Sequence, residues 1–267
     1  MPPVSAPSRP RRSLRPYREF AVRVARRRRL SPTFVRVTLT GEDLADFAHH
    51  GFDQRINLRF PSAGEAPVRV YTVRAFRPAV CELDVDFVLH GDTSPASRWA
   101  GSAAPGDPVV MIGAAHGHPV TDVAWKPPAT ADLLLLAADA TALPAAASIL
   151  ESLDRPARAI LEVPHHADRL PIGGPHDITW LVRAAGDRIE PAVRAVLGGP
   201  AATVAAAPPA PGGPIWDVPE EAAGTFYAWL AGESGTVVSL RRHLVGERGL
   251  DRRAVAFMGY WKRTSAE

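Results

Sequence analysis

Cysteine, lysine and long apolar runs are almost missing from this chain. Of its 267 residues only Cys81 is a cysteine. An internal disulfide is therefore excluded, and so is any all-cysteine zinc or iron–sulfur site. Lysine occurs only at Lys126 and Lys262, so arginine carries the positive charge. The clearest apolar stretches, residues 109–115 and 133–138, are far too short to cross a bilayer. The basic N-terminus is followed by no long apolar run, so it does not read as a secretory leader. The expectation is a soluble cytoplasmic protein without a transmembrane segment. Gly-x-Ser-x-Gly, P-loop and His-Glu-x-x-His patterns are also missing, which removes the usual signatures of hydrolases, kinases and zinc peptidases. The pairs His49-His50 and His165-His166 are adjacent in sequence and lack a third histidine at helical spacing, so no metal site is expected.

What is present suffices for a large core: 46% of residues are apolar and 22% charged. The length suits one large or two ordinary domains. The net charge of +3 is unevenly spread. Residues 1–29 hold ten arginines and one acid, Glu19, so the rest of the chain is mildly acidic. Residues 1–16 are Pro, Ser and Arg with few large apolar side chains, and they read as a disordered tail. The run Arg26–Arg29 reads as a solvated strand end or loose electrostatic anchor. No aromatic residues interleave with it, so nucleic acid is not an expected partner.

From residue 20 onward the side chains alternate. Phe20, Val22 and Val24 form one such row, Val35, Val37 and Leu39 another, and Ile56, Leu58 and Phe60 a third. With residues 68–73, 81–89 and 109–112 this gives six short strands in about 95 residues, the pattern of an antiparallel barrel or sandwich. After Pro127-Pro128 the pattern changes. Leu133–Ala138 is continuously apolar, as expected of a strand buried on both faces. A helix over 142–153 follows, with Thr141 its expected N-cap and Pro144 in the first turn. Further strands are expected over 157–163, 178–184, 225–231 and 254–258, with helices over 189–197 and 234–245 and a Gly/Pro/Ala linker over 198–219. Such alternation implies a parallel sheet with right-handed crossovers. The expected fold is thus an N-terminal antiparallel β-barrel, residues 17–127, followed by a C-terminal α/β parallel-sheet domain, residues 128–263. A cofactor could lie between them.

Several segments could carry chemistry. In Arg69-Val70-Tyr71-Thr72-Val73-Arg74, strand alternation puts Arg69, Tyr71 and Val73 on one face and Val70, Thr72 and Arg74 on the other. A cation beside an aromatic ring suits a phosphate next to a flat ring. On spacing alone, an ordinary cross-strand tyrosine with two solvated arginines accounts for it as well. The segment His90-Gly91-Asp92-Thr93-Ser94-Pro95-Ala96-Ser97-Arg98-Trp99 opens a helix whose first amides and serine hydroxyls suit a pyrophosphate. Asp139-Ala140-Thr141 and Gly232-Glu233-Ser234-Gly235 are strand-to-helix turns at the ligand-binding edge of a parallel sheet, although every such domain has turns of this kind. Gly259-Tyr260-Trp261 follows the last strand and reads as packing or as a ring beside a flavin.

In order and spacing, these segments resemble the siderophore-interacting protein family, the FAD-dependent ferric-siderophore reductases related to ferredoxin–NADP reductases. Leu30-Ser31-Pro32-Thr33-Phe34 through Leu44 resembles its opening hairpin, and Arg69-Val70-Tyr71-Thr72-Val73-Arg74 its flavin-binding motif. Residues 90–100 resemble its pyrophosphate segment. Asp139 through Pro144, Ala231 through Gly235 and Gly259-Tyr260-Trp261 resemble its C-terminal domain. The resemblance implies noncovalent FAD held by Arg69, Val70, Tyr71, Thr72, His90, Asp92, Ser94, Ala96, Ser97, Trp99, Asp139, Thr141 and Trp261. Thr72 would lie near flavin N5, and the flavin itself would carry the chemistry. It further implies a ferric siderophore as substrate, met by Arg55, Arg74 and Arg241, and NAD(P)H or reduced ferredoxin as electron donor. A flavin reductase with another acceptor, or a non-catalytic flavin- or siderophore-binding module, are the alternatives. The chain has Asn57 where relatives often carry lysine. It has Ala138 and Ala140 where they commonly carry glycine and glutamate. A Cβ on Ala138 near a pyrophosphate leads to the expectation of poor direct use of NAD(P)H and better reduction by ferredoxin.

Overall fold

The computed structural model describes residues 17–61, 67–89, 94–197 and 215–263. The expected tail over 1–16, together with His90 and Asp92, lies outside them.

The first sheet has seven antiparallel strands: β1 (Tyr17–Arg29), β2 (Phe34–Thr40), β3 (Arg55–Arg59), β4 (Val68–Thr72), β5 (Ala75–Arg77), β6 (Glu82–Val88) and β7 (Pro108–Ala114). Their order is β4-β3-β7-β1-β2-β6-β5. Sequence alternation indicated six strands; the seventh, β5, follows the strand expected over 68–73 after a bend. Val73 donates its N–H to Gln54 on the β3 side, and the next residue, Arg74, donates to Asp84 on the β6 side. The two edge strands are therefore consecutive, and the bend between them spans the seam of the curled sheet. Inside it pack Phe20, Val37, Leu39, Ile56, Leu58, Phe87 and Met111, all nearly inaccessible. They come from alternate positions, as one buried face requires. Helix α1 (Pro95–Ser102) contacts β2 and β6.

The second sheet runs β10-β9-β8-β12-β13-β11. Its strands are β8 (Leu133–Ala138), β9 (Arg158–Val163), β10 (Asp177–Val182), β11 (Trp216–Asp217), β12 (Phe226–Glu233) and β13 (Val255–Trp261). All are parallel except β11, which pairs antiparallel with β13. Helix α2 (Leu143–Ser152) covers one face, and α3 (Ile189–Val196) and α4 (Ser234–Arg241) the other. Leu134, Leu136 and Ala138 belong to the α2 side, while Leu135 and Ala137 belong to the α3/α4 side. Such two-sided burial is why β8 reads as an unbroken apolar run. Beyond α4 the helix expected to reach residue 245 widens into a π-turn over Arg242–Glu247.

Side chains from both sheets interlock. Phe34 of β2 is buried in the core cluster under α2. Asp168, fully buried, accepts from the Ser31 hydroxyl (2.6 Å), the Thr33 hydroxyl (2.8 Å) and the Thr33 N–H (3.0 Å). Asp53, also buried, accepts from the N–H groups of Ala124 and Trp125 (both 3.1 Å) and from Trp229 Nε1 (3.0 Å) in mid-β12.

Ion pairs on largely buried carboxylates give the fold an acid limit. Burial alone would raise the Asp84 carboxyl, but Arg77 and Thr38 outweigh it and hold it below the ordinary aspartate range. Burial likewise opposes Arg252 and Arg241 at Asp217, and the arginines prevail. Groups with lowered pKa stabilise the fold above their unfolded value and lose that contribution as pH falls through the folded one. Melting temperatures measured from pH 7 downward are expected to fall once the pH drops below about 4. A Tm that held constant down to pH 2 would contradict this assignment.

Candidate functional site

The two sheets meet at Thr72. Register places Val73 opposite Gln54 and Pro67 opposite Phe60, and both are hydrogen-bonded pairs. By antiparallel alternation, Arg69 and Tyr71 also bond toward β3. The backbone groups of Val68, Val70 and Thr72 then face away from β3, along the edge of β4. Val70 is 61% exposed there. Arg69 is exposed and makes no ion pair among the described residues; its Nη1 reaches only the Val68 carbonyl, at 2.9 Å. Tyr71 and Val73 turn into the barrel, as alternation predicts. The Tyr71 ring packs on Phe87 (centroids 4.5 Å apart) and Phe60 (6.1 Å). Trp99 of α1 joins the same cluster, 5.1 Å from Phe60 and 5.8 Å from Phe87. Thus the strand motif and the helix motif, far apart in sequence, share one aromatic floor. Burial pushes the Tyr71 phenol far above the ordinary tyrosine range.

At the start of α1, Ser94 caps the helix by accepting the Ser97 N–H at 3.1 Å. One of the amides that sequence reading offered to a pyrophosphate is therefore already used, and an entering phosphate must share or displace that cap. Ala96 and Ser97 are buried.

Thr72, buried, lies beside Tyr260 at the end of β13. Burial drives the Tyr260 phenol well above its ordinary range, with Arg55 and Thr72 acting in the opposite direction. The Tyr260 hydroxyl is buried and completes no hydrogen bond of normal geometry among the described residues, although Thr72 approaches it. A buried polar atom left this way calls for a further partner. The exposed Arg69 cation and the outward backbone of β4 are groups of the kind that suit the phosphate and ring edge of a flavin dinucleotide. The residues present fit FAD.

The C-terminal turns converge on Asp139. Its Oδ1 accepts from the Thr141 N–H (2.9 Å), the Thr141 hydroxyl (2.5 Å) and the Ala142 N–H (3.3 Å). Its Oδ2 accepts from the Glu233 N–H (2.9 Å) and Trp261 Nε1 (2.7 Å). Asp139, Thr141 and Trp261 are thus brought together at the ends of β8, β12 and β13. Thr141 is not the N-cap expected from sequence: α2 begins at Leu143 after Ala142, and Asp139 takes the amides of that turn. A Cβ on Gly232 would sit 2.7 Å from Asp139 Oδ2, which is why a glycine stands at that crossing. Burial alone would raise Glu233, but the N–H groups of Thr236 and Gly235 hold it below the ordinary glutamate range.

Beside this hub lies a cavity of about 520 Å³ lined by Ala137, Asp139, Glu162, Arg188, Glu233 and Arg263, among others. It occupies the crevice where β8 continues through α2 to β9 while β12 continues through α4 to β13 in the other direction. Parallel α/β sheets bind nucleotides at such a switch point. Ala138 does not line it, because its side chain is fully buried on the α2 side. The steric ground for expecting poor NAD(P)H use is therefore removed: the extra methyl points into the core.

Other expected site residues lie elsewhere. Arg74 is drawn away from β4 by the bend and pairs with Glu151 of α2 (2.7 Å) and Asp86 (3.7 Å). Arg241 pairs with Asp217 at 2.7 Å, tying α4 to β11. The Arg55 guanidinium lies over the Trp216 ring. The Arg26–Arg29 run is less idle than its composition suggests, since Arg26 forms a two-bond pair with Glu82 and Arg27 bonds the Gly101 carbonyl. Sequence reasoning missed Asp53, Asp168 and Trp216. Nothing periodic marks an acid in a loop, and Trp216 stands in a Gly/Pro/Ala-rich stretch.

Known proteins match this arrangement. The family described as siderophore-interacting protein matches residues 131–264. The siderophore-interacting FAD-binding domain matches residues 23–68 and 62–117. The ferric vibriobactin reductase ViuB of Vibrio cholerae is 30% identical, over 91% of this chain and 89% of its own length. The ferric acinetobactin reductase of Acinetobacter baumannii is 37% identical over a shorter stretch, 36% of this chain and 32% of its own. The crystal structure of a siderophore utilization protein from T. fusca superposes with a TM-score of 0.75 at 30% identity, covering 95% of this chain and 96% of that one. With both halves matched in order, the chain belongs to the siderophore-interacting protein family and carries its FAD-binding domain.

Proposed function

We propose that this protein is an FAD-dependent oxidoreductase that reduces ferric siderophores and frees their iron as Fe(II) in the cytoplasm. The observation that carries the reading is the meeting of β4 and β13 at Thr72 and Tyr260, which sets the cofactor edge against the domain holding the switch-point cavity. Bound FAD supplies electron transfer in single steps. Hard oxygen chelators hold Fe(II) more weakly than Fe(III), so one electron suffices to release the metal. The chain's own residues bind and orient. Arg69, which forms no ion pair among the described residues, offers its guanidinium to a phosphate, and the outward backbone of β4 meets the ring edge. The Tyr71–Trp99 floor keeps that strand rigid. The donor is of the NAD(P)H type and enters the crevice beside Asp139. Among the described residues no helix is long and apolar enough to cross a membrane.

Two measurements test this. The purified protein should release FAD on heating, and anaerobic NADH or NADPH should bleach its visible spectrum, with a ferric chelate restoring it. Failure of every ferric chelate to reoxidise the flavin, with free flavins or quinones doing so, would favour a flavin reductase with another acceptor. Arg69→Ala is expected to weaken FAD binding about tenfold or more, because a charge-assisted bond to phosphate contributes about 1.5–3 kcal/mol. Arg26→Ala, whose pair with Glu82 lies on the surface, should leave FAD affinity within about twofold. Equal FAD retention by the two variants would rule out Arg69 as the phosphate ligand.

A further inference from the structure

A cleft between the barrel and α2, about 560 Å³ in volume, gathers more cations than its acids neutralise. Arg28, Arg29, Arg36, Arg74 and Arg77 line it, with Asp84, Asp86 and Glu151. Each of these carboxylates is already committed. Asp86 accepts from Arg36 Nε (2.6 Å) and Nη2 (2.8 Å). Asp84 accepts from Arg77 Nη2 (2.7 Å) and Nη1 (2.8 Å), and Glu151 from Arg74 Nη2 (2.7 Å). Five guanidiniums against three carboxylates leave Arg28 and Arg29 over. Arg28 forms no hydrogen bond or ion pair among the described residues. Arg29 spends Nε and Nη2 on the carbonyls of Ser31 and Pro32, which fixes its head without cancelling its charge. The β1–β2 register also sets Arg28 directly opposite Arg36. Like charges facing each other across two strands destabilise a sheet, so folding gains nothing from Arg28 there. The rest of the lining is apolar and includes Leu30, Phe34, Leu143, Leu170 and Ile172. Both walls are held in place: Asp168 ties the β1–β2 turn to the segment that carries Leu170, and Arg74 bonds Asp86 of β6 and Glu151 of α2. The cleft shares no lining residue with the crevice beside Asp139 or with the Arg69–Thr72 strand.

We propose that this cleft is a second ligand site, for a small molecule that joins a phosphate monoester head to an apolar body. The two arginines left over match the two negative charges of such a head, and guanidinium N–H groups fit phosphate oxygens in pairs. The apolar lining rewards only an occupant with apolar surface to bury. A cavity of this size between two domains is an ordinary place for a ligand. An occupant touches the barrel and α2 at once, so it stabilises the folded pair. The inference stands apart from the ferric-reductase reading and does not depend on it.

The test is calorimetric titration of the FAD-loaded protein with α-naphthyl phosphate, α-naphthol, inorganic phosphate and phthalate, each with and without NADP+. Wild type should bind α-naphthyl phosphate about tenfold or more tightly than the naphthol, which lacks the head, or phosphate, which lacks the body. NADP+ should not displace it. Arg28→Ala should weaken it about tenfold, and Arg28→Glu should abolish its binding. Without ligand both variants should melt no lower than wild type, because each relieves the repulsion from Arg36. With α-naphthyl phosphate present, Tm should rise for wild type and stay fixed for Arg28→Glu. No binding by wild type, wild-type affinity in Arg28→Glu, or displacement by NADP+ would each overturn the site. Tighter binding of phthalate than of α-naphthyl phosphate would overturn the phosphate assignment in favour of a dicarboxylate.

Discussion

Asp139→Ala is expected to lower the melting temperature by roughly 10 °C and to slow flavin reduction by NAD(P)H. The wild-type carboxylate is 4% exposed and takes five donors from three segments. Removing it strands those donors, and each buried unsatisfied donor costs about 1–3 kcal/mol. Thr141 and Trp261 are only partly buried, so water offsets some of that, and about 3–5 kcal/mol is a fair total. For a chain of this size each kcal/mol shifts Tm by about 2–4 °C. The functional loss follows from position: the same carboxylate aligns the ends of β8, β12 and β13 at the crevice. Asp139→Asn separates the two halves of the network. Its carbonyl still accepts from Thr141 and Ala142, but its amide opposes the Glu233 N–H and Trp261 Nε1. It should melt between wild type and the alanine variant. Differential scanning calorimetry with stopped-flow bleaching decides the matter. An alanine variant with wild-type Tm would show that the hub is dispensable.

Asp53→Ala is expected to be of similar size and to act on the coupling of the two sheets. Asp53 belongs to the loop before β3, whereas its donors are the Ala124 and Trp125 amides and the Trp229 indole in the heart of β12. All three are nearly inaccessible, so little water can replace the carboxylate. A loss of about 3–4 kcal/mol follows. With this link gone, the calorimetric transition should broaden or split. Burial also raises the Asp53 pKa above its ordinary value, against the pull of Trp125, Trp229 and Ala124. Between the unfolded and folded values the folded chain holds a proton that the unfolded chain has lost. Stability therefore declines as pH rises through that window and then levels off. Asp53→Asn should abolish this decline. A sharp, unshifted transition in Asp53→Ala would remove Asp53 from the interface account.

Much of the architecture is written in local pattern. Period-two alternation in β1, β2 and β3 specifies one buried face, and the unbroken run of β8 specifies two. Ser94-Pro95 marks a helix start because cap and fixed φ act within a few residues. The order of motifs also names the family. What pattern cannot carry is the partner of a polar group. Asp139 meets Trp261 across 122 residues and Asp53 meets Trp229 across 176, and no periodicity links them. Alternation puts Arg69 and Arg74 on opposite faces of one strand, but only the fold shows the bend after Val73 that leaves Arg69 exposed on β4 and sends Arg74 to Glu151. Trp216 sits in a stretch that reads as linker, and only its antiparallel pairing with Met258 sets it beside Tyr260 and under Arg55. Hydrophobic burial acts on every residue of an element and so leaves a repeating trace. A hydrogen bond or a cation–π contact joins two particular side chains, and only the folded chain decides which two.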